Sequence, residues 1–129
     1  MDKTIAGDGQ QILIVDDDPA ITNFLSHLLE AHEYQVTAMT DSEEALEYFH
    51  QNHSHLSLVI TDQTMPRLTG SDMAQKMFQI EADMPIILCT GYSEQVDEKR
   101  AKEMNIRVFL SKPYQNTELL AAIEQHIRH

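Results

Sequence analysis

The stretch Gln11-Ile12-Leu13-Ile14-Val15-Asp16-Asp17-Asp18-Pro19 decides how this chain folds. Its short run of branched and long apolar residues suits a strand covered on both faces, being too brief for an ordinary buried helix. Carboxylates follow at once. The last of them, Asp18, is placed to cap a helix whose first position is Pro19, where no amide hydrogen is required. Beyond it, Ile21, Phe24, Leu25, Leu28 and Leu29 recur at helical spacing and predict one buried stripe. A strand, an acidic turn and a helix are thus written one after another.

The same alternation continues to the end of the chain. Short apolar runs at 12–15, 36–39, 56–60, 85–89 and 106–110 read as strands. Asp41 with Glu44 three residues on resembles a capping box and opens a second helix with Ala45, Leu46 and Phe49 inward. A third helix is expected over 71–80, with Met73, Ala74, Met77 and Phe78 facing the sheet. A fourth, over 94–104, has only Val96, Ala101 and Met104 as apolar positions, so few buried contacts hold it. The fifth carries Leu119, Leu120, Ile123 and Ile127. Five βα units predict an α/β fold with a doubly wound, five-stranded parallel sheet over 11–128, preceded by a tail or linker at 1–10.

At 129 residues the chain has room for one such domain, and 42% hydrophobic with 23% charged residues is the balance of a globular protein. No apolar run approaches the roughly 20 residues of a membrane span, and the N-terminus is polar rather than an export signal, so a cytoplasmic location is expected. A formal charge of -12 repels a phosphate backbone and argues against direct nucleic-acid binding. The single cysteine, Cys89, lies in an apolar run and reads as a buried hydrophobe.

Right-handed crossovers bring the carboxyl ends of all the strands to one edge. The polar residues there are Asp16 and Asp17 after the first strand, Asp62 after the third, Thr90 after the fourth and Lys112 after the fifth. Carboxylates about 4 Å apart repel by on the order of 4 kcal/mol at an effective dielectric of 20. A cation belongs among them, and magnesium suits oxygen ligands that share it with a phosphate. Its two charges and that of Lys112 balance the three carboxylates. Asp62 precedes a turn-rich loop marked by Pro66 and Gly70, which leaves it accessible as a nucleophile for phosphoryl transfer. Thr90 can donate a hydrogen bond to the transferred group.

Four motifs in register carry a resemblance to the response-regulator receiver family over about 11–127. They are Val15-Asp16-Asp17, the Asp-x-x-Met-Pro-x-x-x-Gly pattern from Asp62 to Gly70, Thr90-Gly91, and Lys112-Pro113. The resemblance implies a flavodoxin-like (βα)5 fold of strand order 2-1-3-4-5, with Asp62 as phosphoacceptor. It implies magnesium, or manganese in its place, held by Asp17, Asp62 and the main-chain carbonyl of Thr64, with Asp16 acting through a water. Thr90 and Lys112 would bind the phosphoryl group, Thr90 and Phe109 would form the switch, and the Lys112-Pro113 peptide would be cis. Thr64 and Tyr92 occupy positions that tune phosphoryl lifetime. The implied partners are a histidine kinase or histidine phosphotransfer protein, and a protein target on the face of helix 4, strand 5 and helix 5. The segment Leu88-Cys89-Thr90-Gly91-Tyr92-Ser93-Glu94 looks like that of receivers at the C-terminus of hybrid sensor kinases.

Two rivals share some of these residues. In a phosphatase of the haloacid-dehalogenase type Asp16 would be the nucleophile, but Pro19 and Ala20 depart from that family's pattern. A receiver-shaped interaction module without phosphorylation would not need the intact acidic pair, acceptor, threonine and lysine. Two sets of histidines have plainer explanations. His50, His53 and His55 can in principle hold zinc or nickel but lack a fourth ligand, and His27 sits within the first amphipathic helix, where a structural role is expected.

Overall fold

The structure is a computed structural model that describes residues 8–91 and 98–128. Five parallel strands, β1 (Gln11–Val15), β2 (Gln35–Met39), β3 (Leu56–Asp62), β4 (Ile86–Thr90) and β5 (Val108–Ser111), form one sheet in the order β2-β1-β3-β4-β5. Helices α1 (Pro19–Ala31), α2 (Ser42–Asn52), α3 (Gly70–Ile80) and α5 (Asn116–His126) cover it; of α4, Glu98–Glu103 is described. Strand order reverses between β1 and β3, which opens the crevice at their carboxyl ends.

Alternate residues of the central strands serve two separate cores, as a pleat with period two requires. Leu13, Val15, Val59, Ile86 and Leu88 pack with Ala45 and Phe49 of α2 and Met73, Ala74 and Met77 of α3. Ile12, Ile14, Leu58, Ile60 and Ile87 pack on the other face with Leu25 and Leu29 of α1 and Leu119 and Ile123 of α5. Each of the larger of these side chains, taken fully out of water, contributes roughly 1.5–3 kcal/mol, and the alanines less. The alternation breaks at one point: Leu56 and Leu58 lie two apart yet join opposite cores. A register shift between Gln11 and Ile12, where β1 passes from Leu56 to Leu58, places a bulge at Ser57 and inverts the parity.

The helix starts follow local chemistry. Asp18 accepts from the Ala20 amide with Pro19 in the first turn, and Asp41 accepts from the Glu44 amide. The expectation that Phe24 joins the buried stripe of α1 fails, since it is 53% exposed. Successive residues turn by about 100°, and the buried set is Thr22, Leu25 and Leu29. Phe24 lies well to one side of that set, which centres on Leu29, and Thr22, its hydroxyl donating to the Pro19 carbonyl at 3.0 Å, takes the edge away from Phe24. Phe78 and Leu120 are half-buried rather than buried. Tyr92 and Val96 lie outside the described residues.

At the amino edge, Gly9 donates to the Glu33 carbonyl and Gln35 to the Gln10 carbonyl. The glycine adopts φ 81°, a backbone region costly for other residues. Arg128 bonds the carbonyls of His53 and Leu56 and the carboxylate of Glu81. His53 also engages Glu81, and His27 holds the Asn23 carbonyl at 2.8 Å, so both rings take part in local structural contacts. None of the described helices is long and apolar enough to cross a membrane.

Candidate functional site at the carboxyl edge of the sheet

Asp16 follows the last residue of β1 in a buried position, whereas Asp17 is exposed at the mouth. The Asp18 amide donates to the Asp16 carboxylate at 3.0 Å and so fixes its direction. Asp62 and Thr90 are the terminal residues of β3 and β4 rather than the first residues past them. Both are buried, with 7% and 2% exposure. Oxygen atoms of Asp16, Asp17 and Asp62 all lie within 4.8 Å of one another. Lys112 enters from the turn after β5, its ammonium 2.5 Å from Asp62 Oδ1. Its amide donates to the Thr90 carbonyl at 2.7 Å, which ties the two adjacent strand ends together. The Lys112-Pro113 peptide is cis.

The electrostatics follow from this crowding. Burial, aided by the charges of Asp62 and Asp17, pushes the Asp16 carboxyl up to about 6, against the Asp18 amide and Lys112. Burial opposes the charge on Lys112, but its hydrogen bond to Asp62 and the nearby Asp16 outweigh that and raise its pKa. The Cys89 thiol, in register with Asp62, is pushed up to about 12 by burial, so it is not a thiolate. A set of three oxygen-only donors around one point, one of them reluctant to ionise, fits a hard divalent cation. Among the described residues no other group of three such side chains does.

That crowding has a measurable consequence in the metal-free protein. Because the folded-state pKa of Asp16 lies above its unfolded value of 3.8, the folded state binds the proton more tightly. The group's contribution is therefore most favourable below about pH 4 and is lost as the pH rises to about 6. Asp16→Asn is expected to stabilise the metal-free domain at pH 7.5 by on the order of 1–3 kcal/mol, with the difference closing near pH 4. Urea unfolding at the two pH values checks this.

The loop between β3 and α3 is held on both sides. Ser42 donates to the Pro66 carbonyl at 3.3 Å, and Arg67 pairs with Asp41 and, at 3.1 Å, with Glu43. Thr64 sits in this loop with its side chain exposed. Gly70 begins α3 against the Asp62 backbone: a Cβ there would lie 2.1 Å from the Asp62 carbonyl oxygen. Phe109 is half-buried on the edge strand and packs against the α2–α3 core. Sequence reasoning missed Gln63 and Ser71, both buried and bonded to each other. Their pairing spans eight residues and follows neither the helix nor the strand period.

A parallel sheet in this order, with an acidic triad, a buried threonine and a lysine at its carboxyl edge, defines the class of phosphoaccepting signalling domains. The response regulator receiver domain model matches residues 12–124, and the chain belongs to that family, the receiver domains of two-component response regulators. It is 34% identical over 119 residues to the probable transcriptional regulator ycf27 of Porphyridium aerugineum, covering 92% of this chain and 48% of that protein. Identity to the transcriptional regulatory protein CpxR homolog of Haemophilus influenzae is 30% over 118 residues, 92% of this chain and 50% of that one. The crystal structure of a response regulator receiver domain protein from Clostridium thermocellum superposes with a TM-score of 0.86 at 30% identity, covering 90% and 92% of the two chains. The chain spans about half the length of the curated relatives it matches.

Proposed function

We propose that this receiver accepts a phosphoryl group on Asp62 from a histidine kinase or a histidine phosphotransfer protein, in the cytoplasm, and that the accepting unit is residues 11–128 behind a tail or linker at 1–10. The observation that carries this is the ammonium of Lys112 at 2.5 Å from Asp62 Oδ1, beside two further carboxylates within 4.8 Å. An Asp62 oxygen attacks phosphorus, the bond from phosphorus to the donor imidazole breaks, and the leaving ring takes up a proton. Lys112 then neutralises charge on the phosphoryl oxygens, and Thr90 donates a hydrogen bond to one of them.

Asp17, Asp62 and the Thr64 carbonyl would hold magnesium directly, and Asp16 through a water; manganese has the same hard-oxygen preference. When bound, the ion supplies positive charge against the carboxylates and the phosphoryl oxygens. Thr90 and Phe109 form the switch, and the surface of α4, β5 and α5 presents the change to a protein target. Thr64 and Tyr92 tune how long the phosphoryl group survives. The domain receives and relays, and it turns over no small phosphoester. Whether its parent is a hybrid sensor kinase is decided by the reading frame upstream of Met1.

Intact-mass measurement after incubation with acetyl phosphate tests the proposal. One phosphoryl adduct is expected with magnesium and none without it, and none in Asp62→Asn under either condition. An undiminished adduct in that variant would reject Asp62 as acceptor.

A further inference from the structure

Gln63 stands between the proposed acceptor and the residue whose carbonyl would hold the metal, and it is 6% exposed. All of its polar groups are engaged. Its amide donates to the Cys89 carbonyl of β4 at 3.0 Å, and its carbonyl accepts from the Gly70 amide at 2.9 Å. Its side-chain Oε1 accepts from the Ser71 amide at 2.8 Å, while Nε2 donates to Ser71 Oγ at 2.9 Å. Ser71 is 4% exposed.

These bonds satisfy the first amides of α3, which have no partner inside a helix. Thr69 Oγ1 takes the Asp72 amide at 3.2 Å, so Thr69 is the local cap, and Gln63 caps the two preceding amides from the far end of the loop. The loop from 63 to 70 is thereby closed on itself by a buried amide, and the backbone on both sides of Gln63 cannot rotate without breaking the cap.

We propose that Gln63 is a positioning residue of the phosphorylation site. By capping α3 from within the loop, it fixes the direction of the Asp62 carboxylate and of the Thr64 carbonyl. It acts through those two groups and touches neither the metal nor the phosphoryl group. This rests on the function proposed above, because it assigns Asp62 and Thr64 the roles given there. Groups that orient metal ligands without contacting the ion commonly change metal affinity or activity by 10- to 100-fold when removed.

The test compares wild type with Gln63→Leu, Gln63→Glu and Ser71→Ala, with each rate divided by the folded fraction. Magnesium binding is read from the rise in melting temperature with magnesium concentration, with no phosphodonor present. Phosphorylation by acetyl phosphate is read by intact mass. Gln63→Leu is expected to raise the magnesium half-saturation about tenfold and to lower the saturating rate by a similar factor, with the acetyl phosphate half-saturation unchanged. Gln63→Glu, whose carboxylate still accepts from the Ser71 amide and hydroxyl, is expected to recover most of both. Ser71→Ala keeps the amide bond and should show about a threefold loss, which preserves the test if the leucine variant does not fold.

Unchanged magnesium half-saturation and rate per folded molecule in Gln63→Leu and in Ser71→Ala would overturn the positioning role alone. A folded wild type that takes no phosphoryl group on Asp62 would overturn the underlying function and this role with it.

Discussion

Lys112→Ala is expected to slow acceptance of a phosphoryl group by about 10²–10³-fold, the usual loss when one preorganised charge-stabilising group is removed. The ammonium stays charged throughout the physiological range, because Asp62 and Asp16 raise its pKa against the effect of burial. It is half-buried and lies 2.5 Å from Asp62 Oδ1, so no solvent charge replaces it at equal strength. The variant should still bind magnesium, since the three carboxylates remain. Lys112→Arg should recover little, because a planar guanidinium does not reproduce a compact ammonium at one point. Stopped incubations with acetyl phosphate, followed by intact mass, give the rates. A loss smaller than about threefold would remove Lys112 from the chemistry.

Gly70→Ala is expected to destabilise the fold by on the order of 2–4 kcal/mol. The added carbon would lie 2.1 Å from the Asp62 carbonyl oxygen and 3.0 Å from Leu88 Cδ1. The first of these contacts is backbone at the end of a central strand and cannot swing aside. Relief requires the start of α3 to move away from β3, which breaks the hydrogen bond from the Gly70 amide to the Gln63 carbonyl and disturbs Asp62, the proposed acceptor. Folded molecules of the variant should therefore also accept phosphoryl groups more slowly. Urea denaturation measures the first effect as a lowered midpoint at constant slope. A change below about 0.5 kcal/mol, the size of an ordinary surface substitution, would show that the close approach relaxes freely.

Much of this was legible in the residues. The strand at Gln11–Val15 and the cap at Asp18 with Pro19 follow from local chemistry, which needs no knowledge of distant contacts. Topology then brings Asp16, Asp17, Asp62, Thr90 and Lys112 to one edge, because parallel strands joined by right-handed crossovers share a carboxyl end. What was not legible depends on long-range packing. Phe24 satisfies the spacing of the α1 stripe but falls outside the set that meets the sheet, since spacing does not say where the buried arc is centred. The bulge at Ser57 inverts which face Leu56 occupies, an outcome of register rather than composition. Gln63 and Ser71 are polar residues that look solvated in sequence and become buried only when α3 closes over the loop.

The proposed chemistry stands or falls on which residue carries the phosphoryl group, and chemical trapping reads that directly. An acyl phosphate on aspartate is reduced by borohydride to homoserine, so peptide mapping after reduction of the phosphorylated domain reports the acceptor residue. Homoserine at position 62, formed only when magnesium and phosphodonor are both supplied, is the predicted result. Homoserine at position 16 instead, or a stable phosphoryl adduct that leaves residue 62 as aspartate after reduction, would contradict it.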